Sequence, residues 1–341
     1  MPRSKAISCP HTGRREHVII DVHGHLSPPE SLRRFPMPPS LGDVEGMIER
    51  KLDQGIGLTV IGSPVGAGAM APGLAAENYS QSEDVLAAFH EWIAETVREH
   101  PDHLRGYVYA NPFGGERHLA RAQDTARGDH FVGFVANSSV LGRYTSGPPA
   151  EDFWAMAADT GLPVLLHAPA LPAAAAGLDE AVVIEQLGRF CDVAIAVAMM
   201  LLDGVFDRHP DLRLIVPGTG GLLTLLPERL DMAADPPHWV GPPSRTPPRT
   251  TPPSAHLSRL MVDTSTTNRA ALALMLEHFG PTRVLVGTDS PPLGEAAIRT
   301  PLTLLSELVP DRDELALVHE GNARSLFGER LAQDLVPTRE R

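Results

Sequence analysis

Cysteine is almost missing from this chain of 341 residues: only Cys9 and Cys191 occur. That excludes a disulfide framework and a cysteine-rich zinc site, and fits a reducing cytoplasm. Aromatic residues make up only 5%, which leaves few rings for a stacking pocket. No apolar run of about 18 residues is free of charges and breakers, so no membrane span is expected. The first seventeen residues hold no apolar h-region, which argues against a secretory signal. The formal charge is −13 and no Lys/Arg run offsets it, so nucleic acid and anionic membrane are poor partners. No P-loop or GxGxxG follows a strand pattern, and nucleotide binding is therefore unsupported. A small-molecule substrate is the target left standing.

Hydrophobic residues amount to 43%, enough for a large core. Short apolar runs alternate with longer helical patterns, as in repeated βα units around a parallel sheet. Candidate strands cover 18–21, 58–61, 104–109, 131–135, 163–167, 212–216, 260–263 and 284–287, with helical stretches at 82–100, 151–160, 180–206 and 267–279 among them. Eight such units point to an α/β fold of the (β/α)8 TIM-barrel type, with a doubly wound open sheet as the alternative. The expected organisation is a tail at 1–17, one barrel domain at 18–330 and a tail at 331–341. Two insertions interrupt it. Residues 63–79, rich in Gly, Ala and Pro, follow the second strand and suggest a lid. Residues 236–253 are dominated by Pro-Pro pairs. They read as an arm that covers a face or reaches a second copy in a homodimer, or equally as a disordered loop.

The chemistry gathers at the strand ends. In Asp21-Val-His-Gly-His25 an apolar strand runs into an alternating pattern. Alternate strand residues share a face, so Asp21, His23 and His25 are expected to point the same way. Two imidazoles roughly 7 Å apart at a strand end can grip one metal ion. His167 ends the fifth strand, and Asp289 follows the eighth. Singly they read as a packed histidine and a helix cap. Together with His23 and His25 they complete a shell of three nitrogens and one oxygen at the barrel mouth, where such folds keep their chemistry. That shell suits one divalent ion, zinc foremost, with manganese, iron or cobalt as alternatives.

These motifs, with His100-Pro-Asp-His-Leu-Arg-Gly106, Arg208-His-Pro-Asp-Leu-Arg-Leu214, Val262-Asp-Thr264, Val284-Leu-Val-Gly-Thr-Asp-Ser-Pro291 and Gly321-Asn-Ala-Arg-Ser-Leu-Phe-Gly328, resemble the amidohydrolase superfamily. The likeness is to the branch of aminocarboxymuconate-semialdehyde decarboxylase and related amidohydrolases, and it runs from Ile19 to Gly328. It implies a distorted barrel, one divalent metal, ligand roles for His23, His25, His167 and Asp289, and no bridging lysine. Val135, Ala136 and Asn137, at the end of the fourth strand, indeed offer none. One departure stands out. After the sixth strand the family carries a histidine before a run of glycines, the general base or acid beside the metal-bound water. Counting back from Arg229-Leu-Asp231 puts Gly218 in its place.

A positioned base contributes typically about 10²- to 10⁴-fold, so its loss slows the usual reaction or marks a different one. Asp263 could take protons instead, or act as a cap or an outer-shell carboxylate. Asp289 is itself a catalytic candidate. Thr219 could orient a water, Arg143 could clamp a substrate carboxylate, and Asn111 and Asn137 could hydrogen-bond substrate; loop capping and plain surface roles are the alternatives. The expected activity is non-oxidative decarboxylation of a small unsaturated or aromatic acid by a lyase. The alternatives are a hydrolase, hydratase or cyclase acting on a carbonyl-bearing metabolite, and a non-catalytic metal-binding scaffold.

Overall fold

The computed structural model describes residues 18–34, 37–63, 82–241 and 251–331. Its strands β1 (Ile19–His25), β2 (Ile56–Gly62), β3 (Leu104–Tyr109), β4 (Phe131–Asn137), β5 (Val164–His167), β6 (Leu214–Val216), β7 (Met261–Asp263) and β8 (Val284–Leu285) lie side by side in chain order, all parallel. The seam between β8 and β1 is bridged by Val22 N–H donating to Val286 O and Asp289 N–H donating to His23 O, each at 2.9 Å. A helix follows every strand: α1 (Val44–Asp53), α2 (Glu83–Glu99), α3 (Gly115–Thr125), α4 (Glu151–Thr160), α5 (Arg189–Leu202), α6 (Pro227–Ala234), α7 (Arg269–Phe279) and α8 (Glu295–Leu308). The fold is the expected (β/α)8 barrel.

Strands buried on both faces need apolar residues throughout, which explains the unbroken runs. Ile20, Val22, Leu58 and Val60 fill the barrel, while Ile19 and Ile61 pack outward with helix residues such as Ile93 and Val97. A short helix, α9 (Asn322–Phe327), closes the end where the strands begin. Its Asn322 amide donates to Val284 O at 2.7 Å, and Phe327 packs 6.3 Å from the ring of Tyr107. Truncating Phe327 to Ala would cost about 3–5 kcal/mol, as for other buried rings. The opposite end stays open for the site.

The alternation expected for Asp21, His23 and His25 is broken. Asp21 pairs with Thr59 but Gly24 with Ile61, so β1 spends one residue more than β2 between these points. Such a bulge re-aims the following side chains. Asp21 is taken by Lys51 of α1 and by Thr288, in a buried ion pair with both partners under 4% exposed. His23 and His25 turn into the mouth instead.

The N-terminal tail, almost all of the expected lid, residues 242–250 of the arm and all but the first residue of the C-terminal tail lie outside the described residues. Among the described residues, no helix is long and apolar enough to cross a membrane.

Candidate metal centre

His23 and His25 come from the bulged end of β1, His167 is the last residue of β5, and Asp289 lies just beyond β8. Asp289 has φ 52°, a left-handed conformation that non-glycine residues rarely adopt and that costs on the order of 1–3 kcal/mol. The three imidazole rings stand edge to face, with centroids 4.9–5.1 Å apart. One ligand atom from each histidine and one from Asp289 all lie within 4.8 Å of one another.

The outward nitrogens decide the tautomers. His23 Nδ1 meets Asp263 Oδ2 at 2.6 Å, His25 Nδ1 meets Gly62 O at 3.1 Å, and His167 Nδ1 meets Ala168 O at 2.9 Å. A carboxylate or carbonyl oxygen can only accept, so each Nδ1 carries a hydrogen and Nε2 is the nitrogen left to face the centre. His25 Nε2 lies 3.0 Å from Asp289 Oδ1, and His23 Nε2 lies 3.6 Å from the same oxygen. His23 Nε2 is buried and has no hydrogen-bond partner among the described residues.

Charge follows from this packing. Burial alone would lower the pKa of His23, but Asp263, Asp289 and Asp21 outweigh it and raise it to about 9. The carboxylates around this ring therefore favour a positive charge here, a proton on Nε2 or a metal ion in its place. Burial, with repulsion from His25 and His23, pushes His167 well below the usual range, which keeps it neutral. For Asp289 burial acts upward, yet His23, His25 and His167 hold the carboxyl well below the carboxylate range. Neutral imidazoles and an ionised carboxylate are the forms a divalent ion requires. The donor set and the orphaned nitrogen both fit one.

An open-mouthed cavity leads to this cluster, lined among others by His25, His167, Asp289, Ser63, Glu185 and Arg189. The remaining candidates fall elsewhere. Asp263, fully buried, spends one oxygen on His23 and the other on Gly218 N–H, Ser265 N–H and Ser265 Oγ at 2.6–3.0 Å. Asn137 sits beside His167 in register, fully buried, and its Oδ1 has no partner among the described residues. Asn111 caps its own loop, accepting from Phe113 N–H at 3.0 Å. Arg143 is exposed on a small hairpin with its guanidinium 4.4 Å from the Phe113 ring centroid. Thr219, at φ 62°, donates its hydroxyl to Gly218 O at 2.5 Å.

Gly218 is not a simple gap. Its φ is 64°, and a Cβ placed there would meet Phe190 Cε1 at 2.5 Å. The backbone conformation and the neighbouring ring both disfavour a histidine. Arg189 and Glu185, which line the cavity, escaped the sequence reading. Four residues apart in a long helical pattern, they look like any surface pair.

Comparison with known proteins agrees with this geometry. A family model described as amidohydrolase matches residues 20–328. Among curated proteins, no sequence matches the chain. Several solved structures share the fold. 5-Carboxyvanillate decarboxylase from Sphingomonas paucimobilis superposes with a TM-score of 0.75 at 20% identity, covering 93% of this chain and 100% of that one. 2,6-Dihydroxybenzoate decarboxylase from Rhizobium gives 0.71 at 17%, covering 91% and 98%. A dihydroxybenzoic acid decarboxylase from Polaromonas sp. JS666, solved with bound manganese and 2-nitroresorcinol, gives 0.71 at 17%, covering 94% and 99%. With its family model spanning nearly the whole barrel, the chain belongs to the amidohydrolase family of enzymes.

Proposed function

We propose that the chain is a metal-dependent decarboxylase acting on a small unsaturated or aromatic carboxylic acid. The observation that carries the reading is a full ligand set at a mouth with no spare imidazole. Among the described residues, the titratable side chains lining the cavity are His25, His167, Asp289, Glu185 and Arg189. Hydrolysis needs a base to activate water; loss of CO₂ needs instead a place for the electron pair that the broken carbon–carbon bond leaves on carbon, and a proton to take it up. Held by His23, His25, His167 and Asp289, a divalent ion such as zinc or manganese would supply a Lewis acid for a substrate oxygen.

The protein's own groups supply the rest. Asp289, whose side chain is 27% exposed at the cavity, stays ionised beside the three imidazoles, so we assign it to relaying a proton to the substrate carbon rather than storing one. Asp263 has no such freedom, because its oxygens are already engaged; we assign it to positioning His23. The decarboxylases among the similar structures are in keeping with this chemistry.

Hydrolysis, hydration or cyclisation is the second reading, and Glu185 is the observation in its favour, since it places another carboxylate at the cavity. The two are separated by screening metal-loaded protein against small unsaturated and aromatic acids for CO₂ release. Release supports decarboxylation; turnover of carbonyl substrates without CO₂ supports the alternative.

A further inference from the structure

We infer that Arg189 is the anchor for a carboxylate of the substrate, with Glu185 as its resting partner. The inference rests on the proposed reading of the site as one for carboxylic acids, and it assigns a second point of attachment beside the metal cluster.

The geometry is specific. Arg189 lines the same cavity as His25, His167 and Asp289, and its side chain is only 11% exposed. One terminal nitrogen donates to Glu185 Oε1 at 2.6 Å and the other to Ala168 O at 3.3 Å. Ala168 O is also the acceptor that fixes His167 Nδ1, so the guanidinium rests on the very carbonyl that orients a ligand. Its Nε is buried without a hydrogen-bond partner among the described residues. A guanidinium has five N–H donors in a planar fork matched to a carboxylate. Here three remain, with the contacts to Glu185 and Ala168 removed from the five.

A buried donor left unmade is a cost that a bound acceptor removes. Glu185 is no permanent lock. Its side chain is 43% exposed, so solvent screens its side of the pair. It neutralises the arginine at rest and yields to, or shares with, a better-placed carboxylate. The stretch Ile184–Gly188 winds as a π-turn directly before Arg189. Such turns recur at functional sites, and this one carries Glu185 and leads into its partner.

The carboxylate is fully charged before CO₂ leaves and loses that charge in the transition state. An arginine that grips it therefore stabilises the ground state at least as well. Losing Arg189 should raise KM and leave kcat nearly unchanged.

The test is calorimetric titration of the manganese-loaded chain with 2-hydroxybenzoate and, as a carboxylate-free control, 2-hydroxybenzamide. The wild type should prefer the acid. In Arg189→Met the acid should bind about 10- to 150-fold more weakly, the scale of hydrogen bonds to a charged group, with amide affinity and metal content unchanged. Arg189→Lys should recover part of the loss, and Glu185→Gln should tighten the acid. A merely structural arginine predicts the reverse for Glu185→Gln and equal losses for acid and amide. No acid preference in the wild type, equal losses in Arg189→Met, or weaker acid binding in Glu185→Gln would each overturn the inference. Because binding is read without turnover, absence of CO₂ release would count against the decarboxylase reading alone.

Discussion

Two groups of buried histidines in this barrel look alike by composition and differ in where Nε2 goes. His90 and His118, behind the end of β3, each turn Nε2 toward a backbone donor: Tyr109 N–H at 3.0 Å and Asn111 N–H at 2.8 Å. They are satisfied caps for a strand end. In the mouth, His23, His25 and His167 bind outward through Nδ1 and aim Nε2 at one another and at Asp289. A cluster of imidazoles becomes a site when its inner nitrogens have no backbone to serve.

The sharpest break of this comparison is one substitution in each group. His167→Ala should abolish ion binding and activity together while the protein stays folded, as read by elemental analysis and circular dichroism. His90→Gln should leave ion content near wild type and lower the unfolding midpoint. If His90→Gln removed the ion as well, the two groups would not be separate.

Outer partners come next. Asp263→Asn keeps the shape but weakens the hold on His23 Nδ1, and losses of about 10- to 100-fold in metal affinity or activity are expected for such partners. Titration with zinc or manganese measures this; unchanged affinity would remove Asp263 from the site.

The β6 exit makes a smaller test. Gly218→His should lower stability by about 1–2 kcal/mol from its left-handed backbone alone, with a further loss from Phe190 at 2.5 Å. Activity should not rise. A faster enzyme would mean that the loop reshapes readily and that the missing imidazole limits the rate.

The mildest effect is in pH. Burial, then repulsion from His118, lowers His90 from 6.5 to about 4. Between these values the unfolded chain binds a proton that the folded one refuses. Stability from this group is complete above about pH 6.5 and drains away as pH falls toward 4. Denaturant midpoints across that window should fall less steeply in His90→Gln than in the wild type.

Most of the fold was legible because βα repetition is written in apolar runs. Residues 104–109 and 151–160 are expected and observed with the same limits. The bulge in β1 was not, since nothing in Asp21-Val-His-Gly-His25 marks an extra residue. The pattern suggested one shared face for Asp21, His23 and His25, and only pairing with β2 shows the slip. The four residues that converge at the mouth are nonetheless those that the sequence brought forward, because all of them lie at strand ends on one side of the barrel. Arg189 could not be read, since its meaning lies in contact with Ala168 O across a turn. Gly218 was noticed as a loss; that Phe190 crowds the space beside it became visible only in three dimensions.

The most direct measurement is metal content together with CO₂ release, in chain stripped by chelator and then reloaded. About one divalent ion per chain is predicted, with CO₂ released from a small unsaturated or aromatic acid only in the loaded form. Release at full rate without the ion, or a chain that takes up no ion at all, would contradict the account.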